Sequence, residues 1–141
     1  MTTLLADSIA GVMVADTGAG DGDRQWPNAR KVWRVRGALL GFSGYYEDIE
    51  RFLAWWRAGQ PPQCPRFTHG AALVLSARGL ALYSGSCVAQ PVDSGRDAIG
   101  TGGKAALCAY DALGWADARR AVQIACKYDA ASRTPVRCYV L

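Results

Sequence analysis

The stretch Met1-Thr2-Thr3-Leu4-Leu5-Ala6-Asp7-Ser8-Ile9-Ala10-Gly11-Val12-Met13-Val14-Ala15-Asp16 opens the chain with two apolar runs. Thr2 to Ala6 and Gly11 to Ala15 have the length and composition of short strands, and both are bounded by Asp and Gly. The first begins with a residue of unusual chemical potential. If Met1 is removed, Thr2 carries both a hydroxyl and a free α-amine. That amine can serve as general base for its own hydroxyl, the N-terminal threonine form of nucleophilic catalysis. Asp16 and Lys31 follow at intervals of about fifteen residues.

The 141 residues predict one domain with one core, spanning residues 1–141. Half of them are hydrophobic and a fifth are charged, as in ordinary globular proteins. No apolar run approaches the ~20 residues of a membrane span. The N-terminus lacks a basic region followed by an apolar stretch, so no secretory signal is read there. Cys64, Cys87, Cys108, Cys126 and Cys138 are irregularly spaced without a C-x-x-C pair, which gives a zinc site no support. They read as reduced thiols of a cytoplasmic protein.

The net charge of +4 rests mostly on arginine, with Lys31, Lys104 and Lys127 the three lysines. Arg30, Lys31, Arg34 and Arg36 alternate with apolar residues, the pattern of a strand with one wet face. Nucleic-acid binding would call for a denser basic patch with aromatics placed to stack, so that partner is not expected.

Past Asp16, residues 16–23 form a glycine-rich loop, and strands are predicted from about Arg30 to Arg36 and from Ala38 to Phe42. A helix starts near Ser43-Gly44, with Tyr45, Ile49, Phe52, Leu53 and Trp56 as its apolar stripe. Glu47 and Asp48 suit its first turn and Arg57 its last, and Gly59 with Pro61-Pro62 ends it. Gly70 to Leu75 and Leu80 to Tyr83 read as a hairpin turning at Ala77-Arg78-Gly79, and Cys87 to Ala89 extends the sheet. Gly100-Thr101-Gly102-Gly103 is a tight turn opening a helix to Leu113, and a second helix runs from about Ala116 to Lys127. Pro135 to Leu141 closes the chain as a strand. The order ββββ-α-ββ(β)-αα-β indicates an α+β layered fold.

Several of these patterns, taken in order, resemble a known family. They are Thr2-Thr3, Val14-Ala15-Asp16, Arg30-Lys31-Val32, Gly41-Phe42-Ser43-Gly44 and Ala98-Ile99-Gly100-Thr101-Gly102-Gly103. Across nearly the whole chain the sequence resembles the proteasome β-subunit and HslV-like N-terminal nucleophile (Ntn) hydrolases, in shortened form. The resemblance implies a four-layer αββα sandwich and a threonine-type peptidase working in an oligomeric ring on peptides or unfolded proteins, with no cofactor. In that reading Thr2 supplies the nucleophile and its α-amine the base. Lys31, paired with Asp16, places a positive charge beside them, and the Gly44 N–H receives the oxyanion. Thr101 stands where the family has a serine near the nucleophile amine, and Asp129 and Ser132 orient the same cluster.

Plainer readings stand beside these. Asp16 can simply begin a loop, Lys31 can be a solvated strand residue, and Thr101 can be a helix N-cap. Tyr45 and Tyr46 shape a pocket or belong to the core. The chain is tens of residues shorter than HslV-like proteins, the loss falling between Trp56 and Gly70, where the family builds ring contacts and meets a partner ATPase. An assembly scaffold that keeps the fold without activity is the alternative. Asp16, Asp21 and Asp23 fail the EF-hand spacing. Gly100 to Lys104 fails the P-loop pattern because Ala98 and Ala105 stand where it needs glycine and Ser or Thr. His69, the single histidine, lacks a supporting motif and reads as structural.

Overall fold

The computed structural model describes residues 2–21 and 24–141. Strand β1 (Leu4–Asp7) pairs antiparallel with β2 (Val12–Ala15). With β10 (Arg96–Ile99) and β11 (Arg137–Val140) they form a four-stranded sheet in the order β10-β1-β2-β11. A second sheet of five strands runs β5 (Val32–Val35), β6 (Ala38–Gly44), β7 (Gly70–Ser76), β8 (Gly79–Ser84) and β9 (Ser86–Pro91). Helix α1 (Tyr46–Arg57) covers the second sheet, while α2 (Gly103–Ala112) and α3 (Ala118–Tyr128) cover the first.

The layering follows from which face each strand residue presents, since successive side chains point to opposite sides. Leu4 and Ala6 of β1, with Met13 and Ala15 of β2, meet Val32, Leu39, Leu73 and Leu75 of the second sheet. The intervening Leu5 and Val14 pack beneath Ala106, Tyr110, Ala121, Val122 and Ala125 of α2 and α3. On the far face of the second sheet, Leu40, Phe42, Ala72 and Val74 lie under Ile49, Phe52 and Leu53 of α1. Three apolar layers between four structural layers make an αββα sandwich. Gly41 sets the approach of the sheets: a Cβ there would sit 2.5 Å from Leu4 Cδ1 and 2.6 Å from Met13 Sδ.

The structure departs from the sequence reading in several places. Part of the glycine-rich loop is a hairpin, β3 (Ala19–Asp21) with β4 (Arg24–Trp26). Strand β10 lacks an apolar run and is formed by pairing with β1. Helix α1 begins at Tyr46, so Gly44 ends β6 rather than opening the helix. Tyr45 and Tyr46, 61% and 68% exposed, are not core residues. Lys31 is buried, because β5 sits in an inner layer where Val32 and Trp33 are covered on opposite faces and only Arg34 and Arg36 reach solvent. Cys64 is disulfide-bonded, so the expectation of five reduced thiols does not hold, while Cys108, Cys126 and Cys138 are free. No helix among the described residues is long and apolar enough to cross a membrane.

Phe52 is fully buried and touches the rings of Phe42, Trp55, Trp56, Phe67 and Tyr83. Replacing it with alanine is predicted to cost about 3–5 kcal/mol of unfolding free energy, measurable by urea denaturation.

Candidate active site

Asp16 follows β2 directly, and its buried carboxylate gathers donors from three distant segments. Oδ1 accepts the Lys31 Nζ at 2.6 Å and the Thr3 N–H at 2.9 Å. Oδ2 accepts the N–H groups of Gly18 and Arg133 at 2.9 and 3.0 Å. Lys31 is 6% exposed, and an unpaired charge so placed would be strongly unfavourable. Burial pulls the Lys31 pKa below that of an ordinary lysine, against the opposing pull of the Asp16 carboxylate and, more weakly, of Asp129. Burial also pushes the neighbouring Cys126 thiol up to about 11, so it is protonated at neutral pH.

The nitrogen that Thr3 offers to Asp16 belongs to the peptide joining Thr2 to Thr3. The carbonyl of that same peptide accepts the Gly102 N–H at 3.2 Å. The Thr2–Thr3 amide is therefore held from both sides, and Thr2 itself is 4% exposed. The turn before α2 makes this possible. Gly100 has φ +89°, and a Cβ there would lie 2.0 Å from the Thr2 oxygen.

A hydroxyl relay completes the cluster. Thr3 Oγ1 lies 2.6 Å from Ser132 Oγ. Ser132 donates to Asp129 Oδ2 at 2.5 Å, and Thr101 Oγ1 donates to the same oxygen at 2.7 Å. A hydroxyl has one proton to donate, so with Ser132 committed to Asp129 the Thr3 hydroxyl is the donor to Ser132. Burial works to raise the Asp129 pKa, but hydrogen bonds from Ser132, Thr101 and the Ala131 N–H outweigh it and leave the pKa lowered. Thr101 is not the N-cap of α2: that position is Gly102, without a side-chain cap.

Gly44 stands apart from this hydrogen-bonded network but is tied to it through the backbone. The Phe42 N–H donates to the Lys31 carbonyl at 3.0 Å, two residues before Gly44. Gly44 lies opposite Gly70 in the β6–β7 register. The φ angles of the pair are +130° and +132°, and a Cβ on either would lie 2.1 Å from a carbonyl oxygen of the facing strand. The Tyr45 N–H donates to the His69 carbonyl at 3.3 Å, and the Tyr45 ring meets the His69 ring edge-on at 5.0 Å. Asp48, buried on α1, accepts the N–H groups of Thr68 and His69 and pairs with Arg51. It locks the segment before β7 against the start of the helix.

Of the residues singled out from the sequence, Asp16 and Lys31 meet directly at the Thr2–Thr3 amide, and Thr101, Asp129 and Ser132 share one network that reaches Thr3. Sequence reasoning gave no separate role to Thr3, Gly102, Asp48 or the Arg133 backbone. Only Gly102 carried a signal, its place in a glycine-rich turn before a helix. Asp21 and Asp23, weighed for calcium, cannot be placed as a site: residue 23 lies outside the described residues. No cluster of metal-ligating side chains is present among the described residues.

No protein-family profile and no curated protein sequence matches the chain. Solved structures do. HslV from Trypanosoma brucei superposes with a TM-score of 0.73 at 23% identity, covering 99% of this chain and 98% of that one. BPH from Thiobacillus denitrificans gives 0.76 at 18%, covering 100% and 97%. Its complex with epoxomicin gives 0.75 at 18%, covering 100% and 98%. The fold is that of the proteasome and HslV-type Ntn hydrolases. The sequence-stretch likeness read from Thr2 to Gly103 thus extends to the arrangement of all four layers, and the HslV-type fold accounts for the order and pairing of the strands.

The carboxylates of this fold predict its response to acid. Burial works to raise the Asp48 pKa, but the N–H groups of His69 and Thr68 and the Arg51 side chain win, and the folded value is lowered. As pH falls below the ordinary aspartate value of about 3.9, the unfolded chain takes up the proton first. The stabilisation is complete above that pH and is lost as pH falls through the folded value. Asp48→Asn is expected to flatten this acid-side loss, measured as the urea midpoint at pH 6 and at pH 3.

Proposed function

We propose that the chain is a threonine-type peptidase whose nucleophile is Thr2, exposed by removal of Met1. One observation supports this reading above the others: the Thr2–Thr3 amide is fixed between Asp16 and Gly102, with the buried Lys31–Asp16 pair at its edge. A surface lysine and a loop aspartate have no need of such an arrangement.

In the proposed cycle, Thr2 Oγ attacks the substrate carbonyl carbon while the Thr2 α-amine takes the hydroxyl proton. The negative charge that forms on the carbonyl oxygen is received by the Gly44 N–H, a type of donor worth roughly 3–4 kcal/mol of barrier. The protonated amine passes its proton to the leaving nitrogen as the C–N bond breaks, leaving an ester on Thr2. Water then attacks the ester, the amine accepts its proton, and the carboxylic acid departs as Thr2 regains its hydroxyl. Positioned proton transfer of this kind contributes about 10²–10⁴-fold. An unperturbed α-amine titrates near 7.7–8.0, and the Lys31 charge favours its neutral, basic form. Asp129, Ser132 and Thr101 act as positioning residues through Thr3.

Assembly into a ring and action on peptides or unfolded proteins belong to the same proposal, supported by likeness to HslV. An ATPase partner has less support, since residues 58–69 form no helix and hold Pro61, Pro62 and Pro65. A cytoplasmic location is part of the reading, with the Cys64 disulfide as the observation against it.

Thr2→Ala and Lys31→Ala are each expected to abolish cleavage of a fluorogenic peptide. Circular dichroism is expected to stay native in both, with a lower thermal midpoint in Lys31→Ala, which leaves the buried Asp16 charge short of a partner. Unchanged turnover in either variant would remove that residue from the mechanism. Intact mass of protein purified from cells is expected to lack Met1, and epoxomicin, with which BPH forms a complex, is expected to block cleavage. Retention of Met1 in the purified protein would favour the inactive scaffold.

A further inference from the structure

Beside the Asp16 and Asp129 cluster, the molecule carries a concavity with a consistent chemical character. It measures about 480 Å³ and lies between α3 and the 132–134 segment. Arg120, Gln123 and Lys127 line one wall and Ser132, Arg133 and Thr134 the other, with Cys126 beside them. Helix periodicity explains the first wall. Ala118, Ala121, Val122 and Ala125 are buried against the sheet, which leaves positions 120, 123 and 127 as a stripe on another face.

Three cations and no carboxylate line this space. Among the described residues the ion pairs are Lys31–Asp16, Arg51–Asp48 and Arg96–Asp7, so Arg120, Lys127 and Arg133 have none. The Arg133 guanidinium bonds to the neutral Gln25 side chain, which leaves its charge uncompensated. The acids beside the lining residues are turned elsewhere: Asp129 to the hydroxyls of Ser132 and Thr101, Asp16 to Lys31 and the N–H groups of Thr3, Gly18 and Arg133, and Asp117 to the Arg120 N–H. Like charges left facing one cavity raise the potential there and draw anions. The volume falls in the range of small-ligand sites, about 300–1,000 Å³. Ser132 in its wall bonds both Thr3 and Asp129, so an occupant touches the relay that positions Thr3.

We propose that this concavity is an anion-binding site that takes an oxyanion or carboxylate group and is coupled through Ser132 to the Thr2–Thr3 region. The group is either a free oxyanion or an acidic side chain of a bound peptide; the recognition chemistry is the same. The site does not depend on Thr2 being a nucleophile, so its binding test stands independently of peptidase activity.

Orthophosphate titrated into the intact protein, followed by isothermal calorimetry and by chemical shifts near Ser132, tests it. Saturable binding is expected, weakened about tenfold or more in Arg120→Gln/Lys127→Gln and weakened by added salt. Both substitutions are at exposed positions outside the catalytic cluster, and a thermal melt checks folding. Absence of saturable binding, or equal affinity in the double variant, overturns the proposal. Two peptides differing only in Glu against Gln distinguish the sources. A KM preference for Glu that disappears in the double variant identifies a substrate side chain. An equal effect of phosphate on both peptides, lost in the same variant, identifies a free oxyanion.

Discussion

The Asp16 carboxylate is the interaction on which the rest of the site depends. Its four bonds draw in a strand start (Thr3), its own loop (Gly18), the entry to the second sheet (Lys31) and the segment after α3 (Arg133). Three of these are far apart in sequence and come together only when the two sheets have stacked. A buried carboxylate with fewer partners would shed its charge or leave the interior. Here two backbone N–H groups on one oxygen, and an ammonium with a third N–H on the other, fill its acceptor capacity. Losing any one of them leaves a buried charge short of a partner, a much larger penalty than a surface bond would carry.

The same economy explains why one turn holds so many glycines. Gly100 and Gly102 let the backbone before α2 come within bonding distance of Thr2 and Thr3. A Cβ at Gly102 would lie 1.8 Å from Thr3 Oγ1 and 3.0 Å from Asp129 Oδ2. The hydroxyl relay and the pinned amide thus share one cause, the absence of side chains at a crowded crossing. The Lys31 pKa is pulled down by the same closeness, because the layers that bury it also keep water away from its ammonium.

How much of this was legible in the sequence depended on range. The apolar runs Thr2 to Ala6 and Gly11 to Ala15 read as short strands from their length and their bounding Asp and Gly, but that both faces of β1 and β2 are covered shows only in the fold. Ile49, Phe52 and Leu53 marked the buried stripe of α1 by spacing alone. Strand β10, whose Arg96 and Asp97 are polar, was invisible because its strand character comes from β1 across the sheet. Lys31 misled for a related reason: alternation assumes one wet face, and the second face is supplied by residues scores of positions away. At the site, Thr2, Asp16 and Lys31 were legible through a family likeness. The bonds from Arg133 and Gly102, and the role of Asp48, depend on contacts made only in the folded chain.

The facing glycines at positions 44 and 70 have a consequence for reading relatives of this protein. Each forbids a side chain because of the other strand's backbone, not because of the other's side chain. Substitution at one position therefore cannot be rescued by substitution at its partner. A relative that keeps this pairing of β6 with β7 keeps both glycines whether or not it is an enzyme, so their presence reports the scaffold and not the chemistry.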